Sequence, residues 1–343
     1  MNKTMKERVE WIDFGKGITV FMVVLGHVGL GLFESKNFAT SSDWLLLFTQ
    51  VLYLFHIPVF FALSGFFFKP LDDIRYYLSY VKQKTIVLGV PYIFYSILQF
   101  SLQQIGGSTV RHAANLLDLF NIYRIPIGVS WYLYVLWWLY IVIGFLSIWI
   151  KSYKKLFIFS LFMYILSLFS IVDVYIIQNL LLWSFLFILG LYLRYSGLLN
   201  ILENNWKKLT SSIIFIILIF MIIWKFSNPV YYISYYQPGL WGIVFPVSVI
   251  LAFSIYPMLN NKKFAIYFRN LGKDSLVIYL LHSPIESVTR IILLKVGIGN
   301  VFIHIFIGLV AGWYGSVCAL YIIKKITYLD CLFYPMKYIK NRE

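Results

Sequence analysis

The sequence predicts an all-α, polytopic membrane protein of about ten transmembrane helices with both termini cytoplasmic. Three observations lead there. Of the 343 residues, 61% are hydrophobic and only 13% charged, whereas a soluble domain carries roughly a quarter charged residues. Apolar runs of roughly 17 to 25 residues recur along the chain, the length a helix needs to cross a bilayer. The cations also collect in alternate connecting segments, as the positive-inside rule requires.

The spans read 15–33, 44–68, 84–104, 130–150, 155–172, 174–193, 210–226, 238–258, 275–294 and 300–323, in a single integral-membrane domain over residues 1–343. Segments on one side hold 23 of the 29 Lys and Arg, and only Lys36, Arg111, Arg124, Lys225, Arg290 and Lys295 remain for the other. An odd number of spans would break that alternation. The polar N-terminal lead runs into a long span with no small-residue cleavage pattern, which reads as a retained signal-anchor in the plasma membrane. The net charge of +15 does not imply nucleic acid, because the cations are scattered between apolar runs. Cys318 and Cys331 have neither metal-ligand nor redox spacing, so no disulfide and no metal site is inferred.

The stretch RVEWIDFGKGITVFMVVLGHVGLG, residues 8–31, organises the rest. A charged, aromatic foot leads into an apolar run that contains one histidine, His27. Lys16 lies eleven residues earlier, about 20° beyond three full helical turns, so both side chains leave one helix face roughly 16 Å apart along the axis. A cation at one membrane surface is thereby aligned with an imidazole near mid-depth. An ionisable residue inside a span is a functional-site candidate; the other reading is a histidine hydrogen-bonded between helices as packing.

The second span, QVLYLFHIPVFFALSGFFFKP, places His56 at about the depth of His27, so two imidazoles are expected to face one cavity. Pro58 frees a backbone carbonyl, tolerated where protein or a polar cavity satisfies it. Ser64 and Gly65 allow close helix approach and read as packing. Beyond the third span, Ala113, Leu116, Leu117 and Phe120 recur at helical spacing and suggest a short interfacial helix on the outer face. Arg124 and Trp131 stand at the outer entrance to span four as candidates for holding an acceptor. The tyrosine-rich segment 227–239 reads either as an aromatic interfacial belt or as a platform for a sugar ring.

In the ninth span, His282, Glu286 and Arg290 are successive i, i+4 neighbours and form one polar stripe. Glu286 either pairs with Arg290 as a structural lock or meets a histidine and sets its tautomer. His112 falls in a loop, and His304 reads as a packing or interfacial residue. Gly308, Gly312 and Gly315 give the last span small-residue spacing. The sequence has no P-loop and no Gly-x-Ser-x-Gly elbow. Intramembrane histidines are the chemistry left.

Taken together, ERVEWIDFGKGITVFMVVLGH, FHIPVFFALSGFFF, VPYIF, SWYLYVLWW and LGKDSLVIYLLHSPI resemble the membrane-bound acyltransferase-3 family, in particular its branch similar to fucose 4-O-acetylases and capsular or exopolysaccharide O-acetyltransferases. The resemblance covers nearly the whole chain, and its most specific element is a basic residue followed after ten intervening residues by a histidine, here Lys16 and His27. It implies a ten-helix protein that takes acetyl from cytoplasmic acetyl-CoA and places it on a sugar hydroxyl of an envelope glycan. The motif histidine, His27, would be catalytic and its basic partner a CoA contact, and the buried polar residues His56 and Glu286 join His27 as catalytic candidates. Lys16, Lys82, Lys84 and Lys273, at the cytoplasmic ends of spans one, three and nine, are then the candidates for the CoA phosphates. Arg124, Trp131, His282 and Arg290 are the candidates for the acceptor glycan, lipid-linked or polymeric. The chain departs from the family in carrying Lys where Arg is common, which loses bidentate phosphate binding, and in having only Lys82 and Lys84 before the third helix. His27 is read as a general base on the hydroxyl or as a covalent acyl carrier. A glycan exporter that transfers no group, or a transferase using succinyl or another acyl group, is the alternative.

Overall fold

A computed structural model describes residues 9–107, 114–169, 172–211, 213–214, 235 and 238–339, and every regular element among them is helical. The helices used below are α1 (Glu10–Ser35), α2 (Ser42–Tyr53), α3 (His56–Gly65), α4 (Ile74–Lys84), α5 (Val90–Gly106), α6 (Trp131–Trp149), α7 (Tyr153–Phe169), α8 (Tyr175–Tyr195), α9 (Val244–Leu259), α10 (Ala265–Gly272), α11 (Ser275–Lys295) and α12 (Val301–Lys325).

Among the described residues eight stretches are long and apolar enough to cross a bilayer. Two of the ten expected spans are not among them. The fifth is α7, a helix of 17 residues that packs along α8. The seventh, 210–226, lies largely outside the described residues, as do Arg111, His112 and, apart from Tyr235 and the last two positions, the tyrosine-rich segment.

The central post is α1, which packs against α2, α3, α9, α10, α11 and α12. Glu10 and Asp13 occupy its first turn, where carboxylates complement the helix dipole. It ends at Lys36 in the left-handed conformation, φ 57°, a common helix stop.

Prolines shape the next two spans. Pro58 has no N–H for the Leu54 carbonyl, and its ring disfavours a continuous helix there. The second span accordingly breaks into α2 and α3, with His56 opening the second half. Pro91 acts less severely: α4 and α5 join through a wide turn at Thr85–Gly89 into one 33-residue stretch. That stretch starts at Ile74, ten residues before the expected boundary at 84. Asp73 caps it by accepting the Arg75 N–H at 2.7 Å, an N-cap interaction. Farther on, Gly65 of α3 meets the Phe187 carbonyl while Gly190 of α8 meets the Ala62 carbonyl, with no room for a Cβ at either glycine. The two backbones touch.

The segment between α5 and α6 holds the expected short helix, Leu116–Phe120, capped reciprocally by Asn115 and Asp118. Its Leu116, Leu117 and Phe120 are exposed. Past it the chain does not stay on the surface but dips into the bundle. Tyrosine hydroxyls receive its backbone: Tyr92 donates to the Ile122 carbonyl (2.5 Å), Tyr134 to Tyr123 (2.7 Å) and Tyr279 to Val129 (2.5 Å). Irregular backbone at membrane depth is tolerated where protein satisfies it or a cavity is lined by it, and both hold here.

Basic residues meet at the end of the bundle where α1 begins, hereafter the near face. Arg269 pairs with Glu10, Lys324 with Asp274 at 2.5 Å, and Arg194 donates to the Phe66 carbonyl at 3.0 Å. The opposite end is the far face.

Candidate functional site

Two cavities lie in line along α1. The one toward the near face, about 180 Å³, is lined by Lys16, Lys84, Ser64 and Ser275 among aromatic and aliphatic walls. The one toward the far face, about 290 Å³, is lined by His27, Gly31, Glu34, Tyr53, Trp131, Tyr235, Ser283, Glu286, Ser287 and Arg290. Lys16 and His27 therefore open on two successive cavities along the same helix.

The rings of Phe60, Tyr132 and Tyr279 cluster at the near cavity. Their centroids are 5.4 Å apart for Phe60–Tyr132, 5.4 Å for Tyr132–Tyr279 and 6.3 Å for Phe60–Tyr279. All three line the near cavity. Tyr132 is pinned by Ser64 at 2.9 Å, and Tyr279 holds the carbonyl of Val129, which lines the far cavity. No described residue lines both spaces, and this ring cluster, which reaches from the wall of one to the Val129 wall of the other, forms a septum between them.

Lys16 is placed over the Phe67 ring at 5.2 Å, and Lys84 over Tyr140 at 3.8 Å and Tyr80 at 5.3 Å. Such cation–π contacts hold an ammonium in position. Lys82 and Lys273 do not share this placing: both are exposed and line neither cavity, and Lys273 donates to the Asn270 amide oxygen at 3.4 Å. Lys82 is two residues from Lys84, roughly 200° around a helix, so the face that turns Lys84 inward turns Lys82 out.

In the far cavity the His27 ring has the Tyr53 hydroxyl 3.5 Å from Nδ1 and the His282 ring 5.1 Å away. His282 is fully buried and does not line the cavity. Its Nδ1–H donates to the Ile278 carbonyl at 3.2 Å, which leaves Nε2 with the lone pair. His282 thus lies behind His27, off the cavity wall.

His56 also corrects the expectation. It is fully buried and lines neither cavity, lying edge-on to Tyr53 at 4.7 Å. The helix break at residues 54–55 turns its ring away from the far cavity, so His27 is the only imidazole on the cavity wall among the described residues.

Glu286 and Arg290 do face the cavity, and Oε1 of the buried Glu286 has no hydrogen-bond partner among the described residues. Two glycines make room for this pair. A Cβ on Gly312 would lie 2.7 Å from Glu286, and a Cβ on Gly31 would overlap the Arg290 guanidinium. His304 packs edge-on against Phe38 and donates to the Ile298 carbonyl at 2.8 Å. Both cysteines are free thiols.

Trp131 lines the His27 cavity, but Arg124 does not. It lines a third and larger cavity, about 830 Å³, built from the dipping segment and the start of α8. Several cavity residues escaped the sequence reading. Glu34 follows His27 by seven residues, two helical turns on the same face, a signal that was available. Tyr53, Tyr132 and Tyr279 sit in apolar runs, where the requirement of a buried phenol for a polar partner is the only mark.

The family described as "Acyltransferase domain" matches residues 9–321. Among curated proteins, "Nodulation protein NolL" of Mesorhizobium japonicum is 27% identical over 147 residues, 41% of this chain and 38% of that protein. "Nodulation protein NolL" of Sinorhizobium fredii is 34% identical over 86 residues, 25% of this chain and 23% of that protein. The alignments thus span less than two fifths of these relatives' own lengths. No solved structure matches the chain.

Proposed function

Because the chain belongs to the acyltransferase-3 family, we propose that it moves an acetyl group from acetyl-CoA to a sugar hydroxyl of a cell-envelope or exported polysaccharide, with the near face cytoplasmic. The observation that carries this reading is the pair of cavities in line on α1, one bearing Lys16 and Lys84 and the next bearing His27.

The near cavity, about 180 Å³, suits a narrow thioester-bearing arm and not a whole nucleotide. The anionic part of CoA would stay at its mouth, toward exposed Lys82 and Lys273, while Lys16 and Lys84 meet the charge nearest the cavity. In the far cavity an imidazole nitrogen of His27 takes the proton of the acceptor hydroxyl as its oxygen attacks the thioester carbonyl. The Arg290 guanidinium, on the same wall, can receive the developing oxyanion. A C–O bond forms, the C–S bond breaks, and the leaving thiolate takes the proton from the imidazolium. The products are the sugar ester and free CoA thiol.

The septum of Phe60, Tyr132 and Tyr279 keeps a second route in view, with the same residues. If donor and acceptor are never in one space, His27 can accept the acetyl group on nitrogen, release CoA thiol, and pass the group to the hydroxyl. Incubating purified protein with labelled acetyl-CoA and no acceptor separates the routes, since only the carrier route leaves label on His27.

The test of the function is the ester content of envelope glycan from cells carrying wild-type protein or His27→Ala. Esters should vanish in the variant while glycan export continues. Normal esters in the variant would overturn the reading, and unexported glycan would favour an exporter.

A further inference from the structure

We propose that the large far-face cavity is a carbohydrate groove and that the acceptor is consequently an oligosaccharide of several units. The proposal rests on the reading of the His27 cavity as the acceptor end. The groove, about 830 Å³, is nearly three times the size of the 290 Å³ cavity, and the two adjoin at Gly128, which lines both. The dipping segment is thus the shared wall. A ring undergoing modification beside His27 has neighbours along its chain, and the groove is where that chain would leave the bundle.

The lining fits sugars. A pyranose offers hydroxyls around its rim and C–H groups on its faces, so it is matched by spaced polar side chains between aromatic rings. Here Arg124 and Asp173 supply donors and acceptors, and Tyr123, Tyr134 and Tyr175 supply rings. Arg124 and Asp173 form no ion pair among the described residues, so the guanidinium N–H groups and the carboxylate oxygens stay available for a ligand. The charge argues against a nucleotide-linked sugar. Among the described residues two carboxylates, Asp118 and Asp173, line the groove against one cation, Arg124, and like charges near a diphosphate are unfavourable.

The test uses purified protein in nanodiscs with labelled acetyl-CoA. The acceptors are the host's own surface glycan, de-esterified, partly hydrolysed and size-fractionated from one unit to six. The expected result is a kcat/KM that rises at least tenfold from one unit to four, because contacts made by remote sugars contribute to transition-state binding. In Arg124→Ala and Asp173→Asn the ratio of tetramer to monomer kcat/KM should fall toward one. Both side chains are exposed, and size-exclusion profiles would confirm that the variants fold. Equal kcat/KM at every length, or an undiminished ratio in both variants, overturns the groove while leaving His27 chemistry intact. Transfer to no fraction by the wild-type protein would overturn the function reading, and this proposal with it.

Discussion

The imidazoles of His27 and His282 stand 5.1 Å apart with their planes tilted by 58°, and only His27 opens on the far cavity. Because the Nδ1–H of His282 is committed to the Ile278 carbonyl, the histidine behind His27 presents an acceptor, not a donor, toward its surroundings. An imidazolium forming on His27 is stabilised by such a neighbour. His27→Ala should therefore lose on the order of 10²- to 10⁴-fold in kcat, the range for a general base. His282→Phe should lose about tenfold, the scale of one hydrogen bond or dipole interaction. Steady-state kinetics with the same acceptor checks both, and equal losses would sink the division of roles.

Gly31 and Arg290 make a second coupled pair. A Cβ at residue 31 overlaps the Arg290 guanidinium, so Gly31→Ala must push that group off the cavity wall. The expected outcome is a loss of activity close to that of Arg290→Ala, with the double variant no worse than either single one. Contacting residues are non-additive in this way, whereas independent sites would add. Additive losses would show that Arg290 does not act from its place over Gly31.

The septum gives a third prediction. Phe60→Ala removes one of the three rings between the cavities and should let water from the acceptor side reach the thioester. Acetyl-CoA hydrolysis without acceptor should then rise several-fold relative to transfer. Tyr279→Phe leaves the buried Val129 carbonyl without its donor, at about 1–3 kcal/mol of stability. A lowered thermal midpoint with little change in hydrolysis would separate that variant from Phe60→Ala.

How far the sequence could be read follows from what a helix period carries. Lys16 and His27 share one uninterrupted helix, so angular arithmetic carries from one to the other, and each lines one of the two cavities along it. The rise per residue gives His56 no direction, because the second span breaks at residues 54–55, ahead of Pro58, and the angle does not carry across the break. In sequence Lys82 and Lys84 read as one basic cluster, yet on a helix that starts at Ile74 only one of them can face inward. The septum was hidden for another reason. Phe60, Tyr132 and Tyr279 come from three separate spans, and hydropathy does not tell a tyrosine at a partition from one in an interfacial belt.

Outside the bundle, the C-terminal segment offers a pH test whose sign is fixed. Asp330 accepts from Lys337 at 2.7 Å and from Tyr338, and those hydrogen bonds, Lys337 first, hold its carboxyl below the usual 3.8. The same contact raises Lys337 above its usual 10.5. A carboxyl depressed in the folded state contributes stability above its unfolded value and loses it as pH falls through the folded one; a raised lysine contributes below its unfolded value and loses it as pH climbs through the folded one. The contact should therefore be at full strength between about pH 4 and 10 and fail outside that window. Hydrogen exchange over residues 329–339 measures this directly. Wild-type protection should be flat across neutral pH and fall below about pH 4. Asp330→Asn should be less protected at pH 7 and should converge with wild type in acid, and a constant gap between the two down to pH 2 would show that the contact does not hold the segment.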